Sequence, residues 1–293
     1  MRLETRVIKT SDGIELFVRD YSPEQSDPTR TVYWVHGLGE HGGRIGHVAE
    51  VLTQWGWRMI IADLRGHGLS TGTRTHVKSF DEYSDDIALI WDQFGLNNGA
   101  TVLLGHSMGG LIAIRTVQTR RVVPSSLVLS SPLLGIKIPV NPLIVLAGSI
   151  LVKFIPTFRF SNRVDPANMT HDSHFVALRR ADKLITKTVT ASWFFAMSAA
   201  LVAAQRDAAE ITVPLLALQG SLDQTTDPEA MESWWSRVLS ADRGLIVLEG
   251  HFHELFFEPD WHGTTDKMLE WLEQQNRNRI SEMIMYFNVK ERR

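Results

Sequence analysis

The first half of the chain alternates short apolar runs with longer stretches in which apolar residues recur every third or fourth position. Short apolar runs predict strands, whereas the wider spacing predicts amphipathic helices. We therefore predict strands over residues 3–10, 14–21, 31–36, 58–62, 101–105 and 127–130, and helices over residues 44–55, 80–94 and 109–120. Ser11-Asp12-Gly13 reads as a hairpin turn between the first two strands. Because apolar strands that alternate with helices are buried on both faces, we expect an α/β fold with a mostly parallel central sheet flanked by helices.

The alternation of strand-like and helix-like segments ends after residue 131. Residues 132–211 show mostly helical patterns with proline-containing breaks, and strand-like runs return at residues 213–219 and 245–248. A helix near residues 266–275 and a polar tail close the chain. Since sheet-like segments resume after the helical region, we expect one core, made of residues 1–131 and 212–293, with a helical cap inserted at residues 132–211. The alternative is a second independent domain, for which the chain is too short to build two large cores.

Composition narrows the class of protein. The chain has 293 residues, 44% hydrophobic and 22% charged, with a formal net charge of −3. A charge this small gives no overall attraction to nucleic acid, so we expect none to bind. The absence of cysteine excludes disulfides, thiolate zinc sites and a cysteine nucleophile. The most apolar stretch, near residues 138–155, is interrupted by prolines, an asparagine and a lysine. It is therefore shorter than the ~20 residues of a membrane span. The N-terminus lacks the apolar run of a signal peptide, so we expect a cytoplasmic protein. The pattern carries no signal for the oligomeric state.

The segment Gly105-His106-Ser107-Met108-Gly109 lies between a predicted strand and a predicted helix. A G-x-S-x-G segment in this position forms a nucleophile elbow, a turn so sharp that glycine must flank the strained serine. The elbow predicts that Ser107 is a nucleophile. It also leaves the Met108 N–H free at the helix start, where it can donate to an oxyanion. The alternative is a glycine-rich turn with no chemical role.

Two further glycine-containing loops follow predicted strands. In His36-Gly37-Leu38-Gly39 the Leu38 N–H is the expected second oxyanion donor. The alternative is an ordinary glycine turn in which His36 is a structural hydrogen-bonding group. The loop after residue 62 is expected to brace its neighbours through Asp63 and Arg65 and not to act on a substrate.

A serine hydroxyl needs a histidine to take its proton and a carboxylate to orient that histidine. After a nucleophile elbow the expected order along the chain is serine, acid, histidine. Asp223 follows a Gly-Ser turn at a strand end and is the predicted acid, with Asp227 as its rival. His253 is the predicted base, and His251 is the alternative.

Together these segments resemble the monoacylglycerol lipase and lysophospholipase branch of the α/β-hydrolases. The matching motifs are residues 36–41 with Arg44, 66–70, 105–110, 165–172, 220–223 and 250–254, and the resemblance spans about residues 4–274. It implies an α/β-hydrolase fold and hydrolysis of a carboxylic ester of a single-chain lipid, with no metal or organic cofactor. It also implies catalytic roles for Ser107, Asp223 and His253, with Leu38 and Met108 as oxyanion donors.

The cap bears on which substrate reaches the serine. Residues 143–152 form an apolar run, and residues 193–197 add aromatic groups and a methionine. Such a cap can line an acyl pocket and touch a membrane surface transiently, although cap-to-core packing explains the same pattern. Three alternatives stay open, namely a general carboxylesterase, a peptidase or amidase with the same triad, and a binder without activity. A metal site at residues 249–254 is disfavoured because no second ligand cluster accompanies it.

Overall fold

The computed structural model describes residues 1–24, 29–98, 100–136, 152–162 and 164–290. The strands of the main sheet are β1 (Arg2–Lys9), β2 (Glu15–Ser22), β3 (Arg30–Val35), β4 (Arg58–Ala62), β5 (Ala100–His106), β6 (Ser126–Ser130), β9 (Leu215–Gly220) and β10 (Arg243–Leu248). Two short strands, β7 (Arg159–Ser161) and β8 (Thr188–Thr190), pair separately. The helices are α1 (Gly46–Gln54), α2 (Asp81–Gln93), α3 (Met108–Gln118), α4 (Ser173–Ala181), α5 (Ala191–Arg206), α6 (Pro228–Trp235) and α7 (Trp261–Lys290).

The main sheet has the order β1-β2-β4-β3-β5-β6-β9-β10. β1 pairs with β2, and β2 with β4, in antiparallel orientation, whereas every other pair is parallel. The carboxyl ends of β3, β5, β6, β9 and β10 therefore meet at one edge of the sheet. Loops that follow these strands lie side by side at that edge.

Both faces of the sheet are buried, which explains the nearly continuous apolar strands. Along β5, Leu103 points into one hydrophobic cluster, while Val102 and Leu104 point into the other. Each strand thus contributes alternate residues to two cores, each covered by helices. The predicted α/β fold with a mostly parallel central sheet is confirmed.

The region between β6 and β9 contains α4, α5 and the β7–β8 pair. We propose that it is a cap over a single core, with the predicted boundaries at residues 132–211, because the strands that flank it are paired neighbours. The β7–β8 pair was not predicted, since three-residue strands are too short for an alternating pattern to be seen. Of the predicted acyl-site helix at residues 143–152, residues 143–151 lie outside the described residues.

The polar tail predicted after residue 275 is wrong for most of its length, because α7 continues to Lys290. After Gly263 this stretch contains neither glycine nor proline, and it is rich in glutamate, glutamine, arginine and methionine. These residues have high intrinsic helix propensity. The helix therefore continues beyond the periodic apolar residues from which its first turns were predicted. No helix in the described part of the chain is long and apolar enough to cross a membrane.

Candidate active site

The predicted nucleophile lies in a sharp turn between β5 and α3. Ser107 has φ 54° and ψ −119°, a conformation that is strained for any residue with a side chain. The turn is tight because the strand and the helix start nearly touch. A Cβ atom on Gly105 would approach the Gly109 carbonyl oxygen to 2.3 Å, and one on Gly109 would approach the Val35 carbonyl oxygen to 2.2 Å. Only glycine at these two positions allows the elbow to form.

Ser107, His253 and Asp223 form one chain of hydrogen bonds at the carboxyl edge of the sheet. Ser107 Oγ lies 2.9 Å from His253 Nε2, and His253 Nδ1 lies 2.8 Å from Asp223 Oδ2. Because a carboxylate only accepts, Nδ1–H donates to Asp223, and Nε2 is the acceptor for the Ser107 hydroxyl. All three residues are buried: Ser107 is 9% exposed, His253 is 3% exposed and Asp223 is 7% exposed. The arrangement can therefore move a proton from the serine to the histidine in a nearly dry site.

Asp223 is fixed by hydrogen bonds from its own loop. Its Oδ1 accepts the N–H groups of Thr225 at 2.7 Å and Thr226 at 3.2 Å, and its Oδ2 accepts the Thr226 hydroxyl at 2.8 Å. The Gln219 amide adds a bond of 3.1 Å to Oδ2. Burial alone raises the pKa of Asp223, but the hydrogen bond and charge of His253 and the bonds from the threonines outweigh it. The pKa of Asp223 therefore lies well below its ordinary value, and the carboxyl is ionised at neutral pH.

The two rival residues have other partners. Asp227 is the N-cap of α6, where its side chain accepts the Glu229 N–H at 3.0 Å. His251 Nδ1 lies 3.0 Å from the Glu249 carbonyl oxygen in the loop after β10. Neither rival has a hydrogen bond to Ser107 or His253 among the side-chain contacts of the described residues. The structure thus brings together Asp223 and His253 and not their neighbours.

The loop of residues 36–41, which we call the oxyanion loop after its predicted role, lies directly against Ser107. A Cβ atom on Gly37 would lie 3.3 Å from Ser107 Cβ. The loop is held by one contact within it and by one contact from the cap. Glu40 Oε1 accepts the Gly37 N–H at 2.6 Å, and the Thr186 N–H from the cap donates to the Gly39 carbonyl oxygen at 2.8 Å.

Leu38 lies between these two fixed glycines, and Met108 is the first residue of α3. The first N–H groups of a helix have no acceptor within the helix, so that of Met108 is available to a ligand. The backbone groups of Leu38 and Met108 thus remain the candidate oxyanion donors. His36 has a structural role, because its Nε2 accepts the Leu64 N–H at 2.9 Å and its Nδ1–H donates to the next carbonyl oxygen.

The loop after β4 braces its surroundings, as predicted. Asp63 pairs with Arg19 at 2.6 Å and accepts the Gly42 N–H at 2.7 Å. Arg65 donates to both carboxylate oxygens of Asp86, at 2.6 and 2.7 Å. These buried contacts connect β2, α2 and the turn that precedes α1 to the loops around the site.

His106 is a neighbour of the triad that sequence reasoning did not single out. Its ring packs against the His253 ring with centroids 5.0 Å apart, and its Nδ1 lies 3.2 Å from the Ser130 carbonyl oxygen. Burial, followed by the charge of His253, lowers the pKa of His106 to about 4, so the ring is neutral at pH 7. Its place inside the elbow motif was the one local signal for a role beside Ser107.

Comparison with known proteins decides the family. The Hydrolase_4 family, described as serine aminopeptidase S33, matches residues 26–260 of the chain. The chain belongs to this family. Hydrolase_4 membership agrees with the elbow, the order of the site residues and the mostly parallel sheet.

Proteins similar to this chain include lipid hydrolases. Phospholipase YtpA of Bacillus subtilis is 31% identical over 235 residues, which cover 80% of this chain and 91% of that protein. Monoacylglycerol lipase of Mycolicibacterium smegmatis is 30% identical over 264 residues, 89% of this chain and 93% of that protein. The crystal structure of Paleococcus ferrophilus monoacylglycerol lipase superposes with a TM-score of 0.79 and 28% identity, covering 94% of this chain and all of that one.

An uncharacterized abhydrolase domain-containing protein of Dictyostelium discoideum is 31% identical over 278 residues, and this chain spans only 29% of its length. The predicted resemblance to the monoacylglycerol lipase and lysophospholipase branch is confirmed, as is the predicted class, a serine ester hydrolase.

Proposed function

We propose that Ser107 is the nucleophile, His253 the general base and acid, and Asp223 the residue that orients His253. The observation that carries this proposal is the hydrogen-bonded chain of these three side chains, with Ser107 in a strained turn. The N–H groups of Leu38 and Met108 form the oxyanion hole. Their backbone positions beside Ser107 support this assignment, since fixed N–H donors stabilise the charge that develops on the carbonyl oxygen.

The reaction follows from these positions. Ser107 Oγ attacks the ester carbonyl carbon while His253 Nε2 takes the hydroxyl proton, and the oxyanion forms between the two N–H groups. When the tetrahedral intermediate collapses, the C–O bond to the alcohol breaks and His253 gives the proton to the leaving oxygen. Water then attacks the acyl-enzyme, with His253 again as base, and the carboxylic acid leaves as Ser107 regains its proton.

The substrate in this proposal is an ester of a single-chain lipid. The names of the B. subtilis, M. smegmatis and P. ferrophilus relatives support it, because each describes a lipid hydrolase. The surroundings of Ser107 are partly apolar, because half-buried Leu38 and Leu133 lie beside it and pack against an apolar cluster that Phe194 also contacts. Trp193 and Met197 are buried within that cluster, so for these two residues the structure shows packing against the core.

A panel of substrates tests the assignment. We expect kcat/KM for monoacylglycerols to rise from short to medium acyl chains, by about tenfold for each two methylene groups that become buried. Lysophospholipids with matched chains show whether the head group matters. Aminoacyl anilides serve as the competing class, because the family description names an aminopeptidase. A higher kcat/KM on the anilides would favour a peptidase, and equal rates for all acyl lengths would favour a general carboxylesterase.

We propose in addition that the cap touches a membrane surface transiently. Phe154, Ile155, Phe158 and Phe160 leave 79%, 49%, 49% and 38% of their surface exposed, close together in the cap. Exposed apolar groups clustered in one segment are typical of surfaces that meet a lipid or a protein. Contact here would bring the enzyme to the phase in which a single-chain lipid ester dissolves.

Sedimentation with phosphatidylcholine vesicles measures this contact. Changing Phe154 and Phe158 together to serine is expected to lower the bound fraction by about tenfold or more, because each phenyl ring that enters the interface contributes on the order of 1 kcal/mol or more. Val123→Ser is the control, since Val123 is an apolar residue that is 72% exposed but lies outside the cap. Equal binding by the double variant and the control would contradict the proposed contact.

A further inference from the structure

Four buried charged side chains lie together next to His253. We call Glu40, Arg44, Arg179 and Glu254 the charge cluster. Arg44 donates through both terminal nitrogens to the two carboxylate oxygens of Glu254, each at 2.9 Å, and it also donates to Glu40. Arg179 donates to Glu254 as well. The four side chains are only 2–8% exposed, and their charges sum to zero.

The charge cluster joins three separate parts of the chain. Glu40 belongs to the oxyanion loop and accepts the Gly37 N–H at 2.6 Å. Glu254 directly follows His253, and its own N–H donates to the Met169 carbonyl oxygen at 2.8 Å. Arg179 lies on α4, within the cap, and is the cluster's one member from that region.

The segment after β10 that carries His253 and Glu254 has further contacts with the cap. The Thr170 hydroxyl donates to the Phe257 carbonyl oxygen at 2.7 Å, and Glu258 accepts the His171 N–H at 2.9 Å. The His171 ring stacks on Phe252 with centroids 3.7 Å apart. The segment that carries His253 is therefore held against the cap on both sides of the histidine.

Buried charges must be balanced, because an unpaired charge in a dry region is costly. Burial raises the pKa values of Glu40 and Glu254, but Arg44 and then Arg179 lower that of Glu254 below its ordinary value. For Glu40 the charge of Arg44 has the same effect. Both carboxyls are thus ionised at neutral pH, and removing one arginine leaves an uncompensated negative charge.

We propose that Arg179 is a positioning residue through which the docked cap balances Glu254 and holds the loop of His253 in its working geometry. The proposal rests on the proposed role of His253. The catalytic histidine is then competent only while α4 lies against the core, and the cap contributes to the chemical step as well as to substrate access.

The net charge that a substitution leaves in the charge cluster determines the direction of its electrostatic effect on His253. His253 faces Asp223, the ring of His106 and, through the next residue, the charge cluster. In Arg179→Met the cluster carries one excess negative charge, which favours the imidazolium form of His253. In Glu254→Gln it carries one excess positive charge, which disfavours that form.

The test is the pH dependence of kcat/KM on a p-nitrophenyl ester. We expect the acid limb to move to higher pH in Arg179→Met and to lower pH in Glu254→Gln, each by on the order of one pH unit. The double variant has a balanced cluster, so its acid limb should return close to that of the wild type. Arg179→Lys keeps the charge and should rescue the limb even where kcat stays reduced by the lost guanidinium geometry.

Arg180→Met is the matched control, because Arg180 is the next residue of α4 but its side chain is 60% exposed. Its ion pair with Asp165 is long, at 3.7 Å, and lies at the surface. Its pH profile should equal that of the wild type. Lower activity in the single variants with unmoved acid limbs, or shifts of the same sign in both, would overturn the proposal. If Arg179→Met does not fold, Glu254→Gln decides, because the proposal requires its acid limb to move to lower pH and the double variant to reverse that shift. Equal activity of Ser107→Ala and the wild type would instead overturn the proposed function.

Discussion

Ser107→Ala is expected to lower kcat on a p-nitrophenyl ester by about 10⁴-fold or more. The substitution removes the hydroxyl oxygen that would form the acyl-enzyme and that lies 2.9 Å from His253 Nε2. The fold should survive, since the change removes one oxygen and relieves no packing. The melting temperature should therefore stay close to that of the wild type. The residual rate would come from the oxyanion donors and from binding.

A fluorophosphonate probe tells loss of the nucleophile from loss of structure. The wild type should be labelled at one site, and Ser107→Ala should not be labelled. Ser131→Ala is the matched control, because Ser131 lies at the same sheet edge and its buried hydroxyl has no hydrogen-bond partner in the described part of the chain. That control should keep its activity and its labelling. Full labelling of Ser107→Ala would show that another residue is the nucleophile.

The sheet and the elbow were predictable because their signals are local. Continuous apolar runs with intervening helices are diagnostic of buried parallel strands, and the glycines beside Ser107 are required by contacts within one strand-to-helix turn. The proximity of Ser107, Asp223 and His253 was predictable from the sheet. All parallel strands expose their carboxyl ends at one edge, so residues just after those ends are brought together whatever lies between them in the chain.

The charge cluster could not be predicted, because the pairs that connect it to Glu254 are distant in sequence. Arg44 and Glu254 are 210 positions apart, and Arg179 and Glu254 are 75 positions apart. Each residue by itself resembles an ordinary surface charge, and only the packed cap shows that it is buried. The helical extension of α7 escaped prediction for the opposite reason, since its propensity is high but its apolar pattern is weak.

Asp223→Asn is expected to lower kcat by about 10⁴-fold while the protein stays folded. Asparagine has the same shape, and its carbonyl oxygen can still accept the N–H groups of Thr225 and Thr226. Its amide then faces His253 as a donor. Nδ1 of the histidine must become the acceptor, so the proton moves to Nε2, which points at Ser107. In that tautomer His253 cannot take the serine proton.

Asp227→Asn separates this effect from a general effect of removing a carboxylate in the same loop. Asp227 caps α6 by accepting the Glu229 N–H, and asparagine is an equally good N-cap, so stability should change by a few tenths of a kcal/mol at most. Steady-state kinetics on the p-nitrophenyl ester and thermal unfolding of both variants check the pair. An equal loss of kcat in the two variants, or a loss of less than tenfold in Asp223→Asn, would assign the orienting role elsewhere. Because Asp223 has a hydrogen bond to His253 and Asp227 has its contact at the start of α6 instead, we expect the two isosteric changes to differ by orders of magnitude.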